Sequence, residues 1–294
     1  MARFGAKRMK GKKKISPNFA GMKTLRLLPP LLCWPLLYLL CGCDLIEYHP
    51  YDSRFDGETG LNAKNILLIE EQCADRDSLR FAVISDTQRW YDETRRAVNC
   101  INARGDIDFV IHLGDMSDFG LAKEFEWMQH ELSRLNPPCV CLIGNHDCLG
   151  TGSDVYRCLY GEPNFTFDAG NTHFVCLNTN AFEYDYSIAI PDFHFLRTDI
   201  ETTQSSGAQR TVVAMHAAPG TDQFNNNVEN VFHEYLRHYP GLQFCLCGHT
   251  HKTIDFEPLG DGLLYHECGC AKGRQFLVFT LKANGTYEME VVDY

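Results

Sequence analysis

Five times along this chain a short apolar run stops at a cluster of carboxylate, amide or imidazole side chains. That repetition restricts the fold more than any other feature. Phe81–Ser85 is followed by Asp86-Thr87-Gln88, Phe109–Leu113 by Gly114-Asp115-Met116-Ser117-Asp118, and Val140–Ile143 by Gly144-Asn145-His146-Asp147. Thr211–Met215 runs into His216, and Gln243–Cys247 into Gly248-His249-Thr250-His251. Short apolar runs of this kind read as buried strands. In α/β folds, ligands gather beyond the carboxyl ends of strands. Carboxylates, amides and imidazoles with almost no basic side chains among them suit a hard or borderline divalent metal.

Each block alone is a weak signal. An Asp after a strand is more often a helix cap or turn residue than a ligand, and a lone His216 reads as structural. Gly248-His249-Thr250-His251 is stronger, because two imidazoles flank one residue beside a glycine that permits close backbone approach. Gly144-Asn145-His146-Asp147 is stronger still. All five in order, each at a strand end, carry the assignment.

The rest of the chain fits an α/β domain. Between strands lie amphipathic segments, best seen in Glu124–Leu135, where Phe125, Met128, Leu132 and Leu135 recur at spacings of three and four. A further strand is expected at His173–Leu177. A short helix is expected around Ala63–Glu71, inside a polar lead-in over 44–79, with the main domain covering 80–294. Toward the end, Leu263–Tyr265, Gln275–Leu281 and Tyr287–Val292 read as antiparallel strands, the last two joined at Asn284-Gly285. A βα half leading into a β-rich end predicts two packed sheets with helices outside.

With these blocks in hand, the chain resembles the calcineurin-like metallophosphoesterases, whose signature is D-x-H, GD-x-x-D, GNH-[DE], a single H, and GH-x-H. The resemblance spans residues 80–270. It implies a four-layer α/β/β/α sandwich with two mixed central sheets and a two-metal site at the strand ends. Carried over by position, one ion would take Asp86, Gln88, Asp115 and His251. The other would take Asp115, Asn145, His216 and His249, with Asp115 bridging. His146 would stand near the leaving oxygen as proton donor or positive stabiliser, oriented by Asp118. Asp118 also reads as a helix cap, and Asp147 as structural.

The implied reaction is hydrolysis of a phosphate ester: monoester, diester or pyrophosphate. Two divalent ions about 3.5–4 Å apart can hold a phosphate, polarise its P–O bonds and share a hydroxide that attacks phosphorus in line. One block departs from the signature, because Gln88 stands where His is usual. A Gln carbonyl is a harder and weaker donor, which favours Mn or Mg over a tightly held Fe, with Zn also compatible.

The first 43 residues read as a targeting segment. Nine basic residues and no acidic one precede or enter an apolar run, Leu27–Leu40, that ends in Cys41-Gly42-Cys43. This is the layout of a secretion signal, and the run is short and broken by Pro29, Pro30 and Pro35 for a spanning helix. Leu40-Cys41-Gly42-Cys43 resembles a bacterial lipobox, which implies an exported lipoprotein held to the membrane through lipidated Cys43. Met22 offers an alternative start.

Cleavage before Cys43 removes nine positive charges and takes the formal charge from −11 to −20. Such acidity argues against a nucleic-acid partner, whose phosphates demand a basic footprint. A small-molecule, nucleotide or lipid phosphoester is the expected partner, attracted by metal charge.

The cysteine pairs Cys139/Cys141, Cys245/Cys247 and Cys268/Cys270 have CxC spacing, which on strands places both sulfurs on one face as small apolar groups. Mostly buried free thiols are expected. Trp90 and Trp127 are expected in the core. The polar-aromatic segment Asn178–Pro191 and Asn225–Asn227, ahead of a helix, read as polar loops, either of which could rim a substrate pocket. The remaining histidines (His49, His112, His130, His173, His194, His233, His238, His266) lie outside any motif and read as structural or solvated. Two other functional readings compete with hydrolysis: a surface lipoprotein that binds phosphorylated or glycan ligands without turnover, and a purely structural metal site.

Overall fold

In the computed structural model, which describes residues 55, 57–185, 187–206 and 208–294, the apolar runs pair into two mixed sheets. The first contains β1 (Leu79–Ile84), β2 (Phe109–His112), β3 (Cys139–Cys141), β10 (Gln275–Leu281) and β11 (Tyr287–Asp293), in the order β11-β10-β1-β2-β3. The second contains β4 (Phe165–Ala169), β5 (Thr172–Leu177), β6 (Arg210–Met215), β7 (Leu242–Cys247), β8 (Ile254–Phe256) and β9 (Tyr265–Glu267), in the order β4-β5-β6-β7-β9-β8. The targeting and lipidation assignment for residues 1–43, and His49, lie outside the described residues.

Parallel pairing gives the site its location. β1, β2 and β3 run parallel, as do β5, β6, β7 and β9. Within each sheet the carboxyl ends of the parallel strands therefore share one edge. Antiparallel β10, β11, β4 and β8 extend the sheets outward.

Both faces of the central strands are buried, as parallel strands require. Alternate residues divide between two cores because side chains alternate across a strand. Phe81 and Val83 of β1 face the second sheet, in a core with Phe109, Phe174, Val212, Phe244 and Phe279. Ala82 and Ile84 face outward onto a layer containing Ala97, Ile101, Phe125, Met128 and Tyr156. The second sheet's outer face packs Val175, Val213 and Met215 on Leu196, Ile200, Phe232 and Leu236. These outer layers come from α2 (Tyr91–Arg104), α3 (Ala122–Leu132) and α4 (Gly152–Leu159) on one side, and α5 (Phe193–Ser206) and α6 (Glu229–Leu236) on the other. The result is the α/β/β/α arrangement expected from the sequence.

The lead-in is part of this packing. Its helix, α1 (Leu61–Cys73), is longer than the predicted Ala63–Glu71 and sends Ile69 and Cys73 into the inter-sheet core. It also covers the open edge of β3. Asn62 Nδ2 donates to Cys141 O at 2.8 Å while Cys141 N donates to Asn62 Oδ1 at 2.9 Å, and Asn65 Nδ2 donates to Cys139 O at 2.6 Å. Asparagine amides thus take the place of a neighbouring strand, which blunts an edge that would otherwise template further pairing.

Three expectations change. Trp90 is only half-buried, with Lys272 Nζ 5.4 Å from its ring centroid, and belongs to no core cluster among the described residues. Trp127 is 51 % exposed, set edge-on against Tyr91 at the surface, so it is not a core residue. The predicted strand at Leu263–Tyr265 is shifted to Tyr265–Glu267. The thiols behave as expected: the eleven cysteines among the described residues are unpaired and eight of them are buried.

Candidate metal centre

The five blocks meet where the two sheets present their strand ends. Close approach there depends on glycine. A Cβ on Gly144 would lie 2.1 Å from Asp115 Oδ1, and one on Gly248 would lie 2.1 Å from Ser85 Oγ. Asp86, Arg89, Asp115, His249 and His251 all adopt positive φ, from 51° to 76°. Left-handed backbone is costly for such residues and persists where the surroundings over-determine it, typically at functional sites.

Asp147 organises the loops from behind. Its buried carboxylate accepts from Met116 N, Ser117 N and Ser117 Oγ on one oxygen, and from Asp115 N and Gly144 N on the other, all within 3.0 Å. This is the structural role the sequence suggested, and it fixes the backbone of two blocks at once. His112 is a second such support. Burial lowers its pKa to about 4, so the ring is neutral, accepting from Gly114 N and bonding Thr87 Oγ1 at 2.8 Å.

In front of this frame the predicted ligands converge. Asp86 Oδ1 lies 3.2 Å from His251 Nε2, and Gln88 Nε2 donates to Asp115 Oδ2 at 3.2 Å. Asp115 Oδ2 lies 3.5 Å from His216 Nε2. Asn145 Oδ1 sits 3.0 Å from His216 Nε2 and 3.1 Å from His249 Nδ1. Donor atoms of Asp86, Asp115 and His216 fall within 4.8 Å of one another. The structure therefore brings together all seven side chains singled out as ligands.

Whether these residues fit metal ions can be judged from their protons. His216 donates Nδ1–H to Leu113 O at 2.9 Å, and His249 donates Nε2–H to Asp222 Oδ1 at 2.7 Å. When either ring is neutral, its other nitrogen is a lone pair within 3.1 Å of Asn145 Oδ1, itself an acceptor. Three acceptors converging in this way require a positive charge between them. Burial weakens the hold of His216 on a proton, yet the Asp115 and Asp86 carboxylates outweigh it and push its pKa up to about 9. Bonding to Asp86 and then to Cys270 raises His251 to about 10. Either protons or metal cations satisfy such a field.

Two buried oxygens discriminate in favour of metal. Among the described residues Gln88 Oε1 has no hydrogen-bond partner, and Asp86 Oδ1 has no well-formed hydrogen bond beyond its ion-pair contact with His251 Nε2, itself one of the predicted ligand atoms. An unpartnered buried oxygen such as Gln88 Oε1 is expensive, and a cation shared with the Asp86 carboxylate and the His251 ring suits its position. Gln88 thus presents its carbonyl oxygen, as the sequence reading required of a Gln in this place. The residues fit the group.

His146 stands beside the cluster, anchored by its own N–H to Asp115 Oδ1 at 2.9 Å. Its orienting partner is not the Asp118 carboxylate. Nδ1–H donates to the main-chain carbonyl of Asp118 at 2.8 Å, while Asp118 Oδ1 lies 3.8 Å away and pairs with Arg89. The ring is part-exposed, and among the described residues Nε2 makes no hydrogen bond.

Three residues here were not singled out from sequence. Arg89 neutralises Asp118, Asp222 holds the outer nitrogen of His249, and Glu183 interacts electrostatically with His146, Asp115 and His249. Glu183 lies inside the polar-aromatic segment flagged as a possible rim, which was the one available signal.

Comparison with known proteins agrees with the geometry. The family model described as "Calcineurin-like phosphoesterase" matches residues 79–253. A 3',5'-cyclic-nucleotide phosphodiesterase of Nostoc sp. is 24% identical over 186 residues, covering 60% of this chain and 67% of that protein. Among solved structures, a dimetal phosphatase from Danio rerio superposes with a TM-score of 0.56 at 15% identity, covering 73% of this chain and 97% of the other. The purple acid phosphatase PPD1 of yellow lupin also gives 0.56, at 11% identity over 74% of this chain and 51% of that one. GAP50, the anchor in the inner membrane complex of Plasmodium, gives 0.54 at 13% identity over 74% and 84%. At these identities the structural likenesses establish the fold, and a fold by itself does not fix an activity. The family model spans more than half of the chain and takes in all five strand-end blocks, so this protein belongs to the calcineurin-like phosphoesterase family of metal-dependent hydrolases.

Proposed function

We propose that this chain hydrolyses small-molecule phosphoesters with two divalent ions, one held by Asp86, Gln88, Asp115 and His251, the other by Asp115, Asn145, His216 and His249. The observation that carries the reading is the convergence of Asp86, Asp115 and His216 donor atoms within 4.8 Å of one another, together with a buried Gln88 Oε1 that has no hydrogen-bond partner among the described residues. When bound, the ions would polarise the P–O bonds of the ester and lower the pKa of water enough to supply a hydroxide nucleophile near neutral pH.

The side chains account for the remaining steps. Asp222 fixes the tautomer of His249 so that Nδ1 is the ligating atom, and Leu113 O does the same for His216 Nε2. Asp118 O engages His146 Nδ1, which leaves Nε2 to give a proton to the leaving oxygen or to stabilise its charge. The Arg89–Asp118 pair keeps the Asp118 carboxylate from competing for that ring. The phosphodiesterase relative makes a diester a natural first substrate.

Mono- and bis-p-nitrophenyl phosphate test this directly on protein stripped of metal and refilled with Mn, Mg, Zn or Fe. Release of p-nitrophenol that depends on metal and falls about 100-fold or more in His146→Ala, in the range of a lost general acid, is the expected result. Binding of both ions without turnover of either ester would favour the ligand-binding reading instead. The same proposal places the enzyme outside the cytoplasm, anchored through lipidated Cys43. Labelled fatty acid should enter the full chain and not its Cys43→Ser variant; equal labelling of both would refute the anchor.

A further inference from the structure

We infer that Glu267 is a positioning residue of the metal centre, whose carboxylate holds the loop that presents His249 to one ion and His251 to the other. The inference rests on the two-metal reading just given.

The topology puts Glu267 at a crossing. β7 ends at Cys247 and β8 begins at Ile254, and both residues are register partners of Glu267, Cys247 in the parallel pairing and Ile254 in the antiparallel one. β9 therefore lies between β7 and β8, and residues 248–253 must pass over its end to join them. Glu267 is the last residue of β9, so it stands where the loop crosses. It is 2 % exposed, whereas His251 and Lys252 in the loop are exposed.

Its side chain is bonded to the loop at two points. Thr250 Oγ1 donates to Glu267 Oε1, and Lys252 N donates to the same oxygen at 3.4 Å. Thr250 separates the two histidines and Lys252 follows the second, so one buried oxygen fixes the chain on both sides of His251. Among the described residues no other side chain hydrogen-bonds to Thr250 or Lys252. The remaining ties of the loop lie upstream: Gly248 N donates to His216 O at 3.0 Å, and His249 N to Asp86 Oδ2 at 3.1 Å.

The two imidazoles depend on this hold. In an extended strand, residues 249 and 251 would share one face. Here His249 and His251 have φ of 76° and 63°, a left-handed backbone that persists only where surrounding contacts impose it. Their rings reach different partners as a result, His249 Nδ1 lying 3.1 Å from Asn145 Oδ1 and His251 Nε2 lying 3.2 Å from Asp86 Oδ1. Glu267 is not itself among the converging donors, which are those of Asp86, Asp115 and His216. It supplies an acceptor, and a glutamine in its place would supply one too.

The test uses the full chain with Glu267→Ala, Glu267→Gln and Thr250→Val. Mn is titrated into metal-free protein by calorimetry, the metal-free forms are unfolded in urea, and bis-p-nitrophenyl phosphate hydrolysis is followed. Glu267→Ala should weaken Mn binding and lower kcat/KM by about 10–100-fold, the range seen when a group that orients metal ligands is removed. Thr250→Val removes the donor on the other side of the same bond, so it should weaken Mn binding too and add little in the double variant. Glu267→Gln should recover most of the affinity. Unchanged Mn affinity in Thr250→Val and in folded Glu267→Ala, with only the urea midpoint lowered, would make Glu267 a support of the fold alone and overturn the inference. A Glu267→Gln loss as large as that of Glu267→Ala would overturn it as well. If Glu267→Ala does not fold, Thr250→Val and Glu267→Gln decide by the same readings. A parent chain that binds no Mn would overturn the two-metal reading and the inference with it. Mn binding without turnover would overturn the hydrolytic reading alone, because the inference is read from affinity.

Discussion

Replacing Asp147 with Asn should destabilise the protein by several kcal/mol, although the two side chains have the same shape. The carboxylate is fully buried and accepts five hydrogen bonds, three on Oδ1 and two on Oδ2. An asparagine offers one acceptor oxygen. With that oxygen toward Met116 and Ser117, its NH2 faces the N–H groups of Asp115 and Gly144. Two donors then lose their partner and meet another donor, with no water to replace it. Hydrogen bonds to charged groups contribute about 1.5–3 kcal/mol each, so the loss should be about 3–5 kcal/mol. Against a total stability of about 5–15 kcal/mol that is large, and it corresponds to a fall in Tm of roughly 10 °C. Urea unfolding of the metal-free chain measures it, with a lower midpoint and an unchanged slope. Metal affinity should fall as well, because Asp115 and Asn145 are positioned by the same loops. A loss below about 1 kcal/mol would refute the assignment of Asp147 as the organising acceptor.

Two other outcomes follow from the packing and the charges. Phe81 is fully buried, stacked on Phe109 at 5.1 Å and Phe279 at 5.4 Å and edge-on to Phe174 at 5.4 Å, so Phe81→Ala should cost about 3–5 kcal/mol in chemical denaturation. His173 is buried between Asp168 and Asp199, and although burial lowers its affinity for protons the two carboxylates raise its pKa to about 9. Its folded pKa lies above the unfolded value of about 6.5, so its contribution is complete below pH 6.5 and is lost as pH rises through 9. His173→Gln should remove roughly 2 kcal/mol of that pH-dependent stability from the metal-loaded protein; identical pH profiles for parent and variant would contradict it.

Much of the centre was legible because its chemistry is written in dense local blocks. Asp86, Gln88, Asp115, Asn145, His146, His216, His249 and His251 each sit at or just past a strand end, so naming the strands brought these residues together. What sequence missed was set by tertiary contact. Asp222 lies in a loop with no motif, and only folding brings it to His249. The bond from His146 goes to the main chain of Asp118, which no side-chain pattern can reveal, and Arg89 captures the carboxylate instead. β4 and β8 went unpredicted because β4 is an edge strand with three of its five residues partly or fully exposed, and β8 has only three residues, none of them buried. Trp127 follows an apolar helix period but falls at its margin, where Tyr91 rather than the core receives it.

The central claim is that Asp115 joins two metal ions in one hydrolytic centre. Metal content and phosphoester turnover should be measured on the same samples of the parent chain and of Asp115→Asn. The account predicts two ions per chain and metal-dependent hydrolysis in the parent, with loss of turnover and of both tightly held ions in the variant. Retention of both ions and of turnover by Asp115→Asn would contradict it.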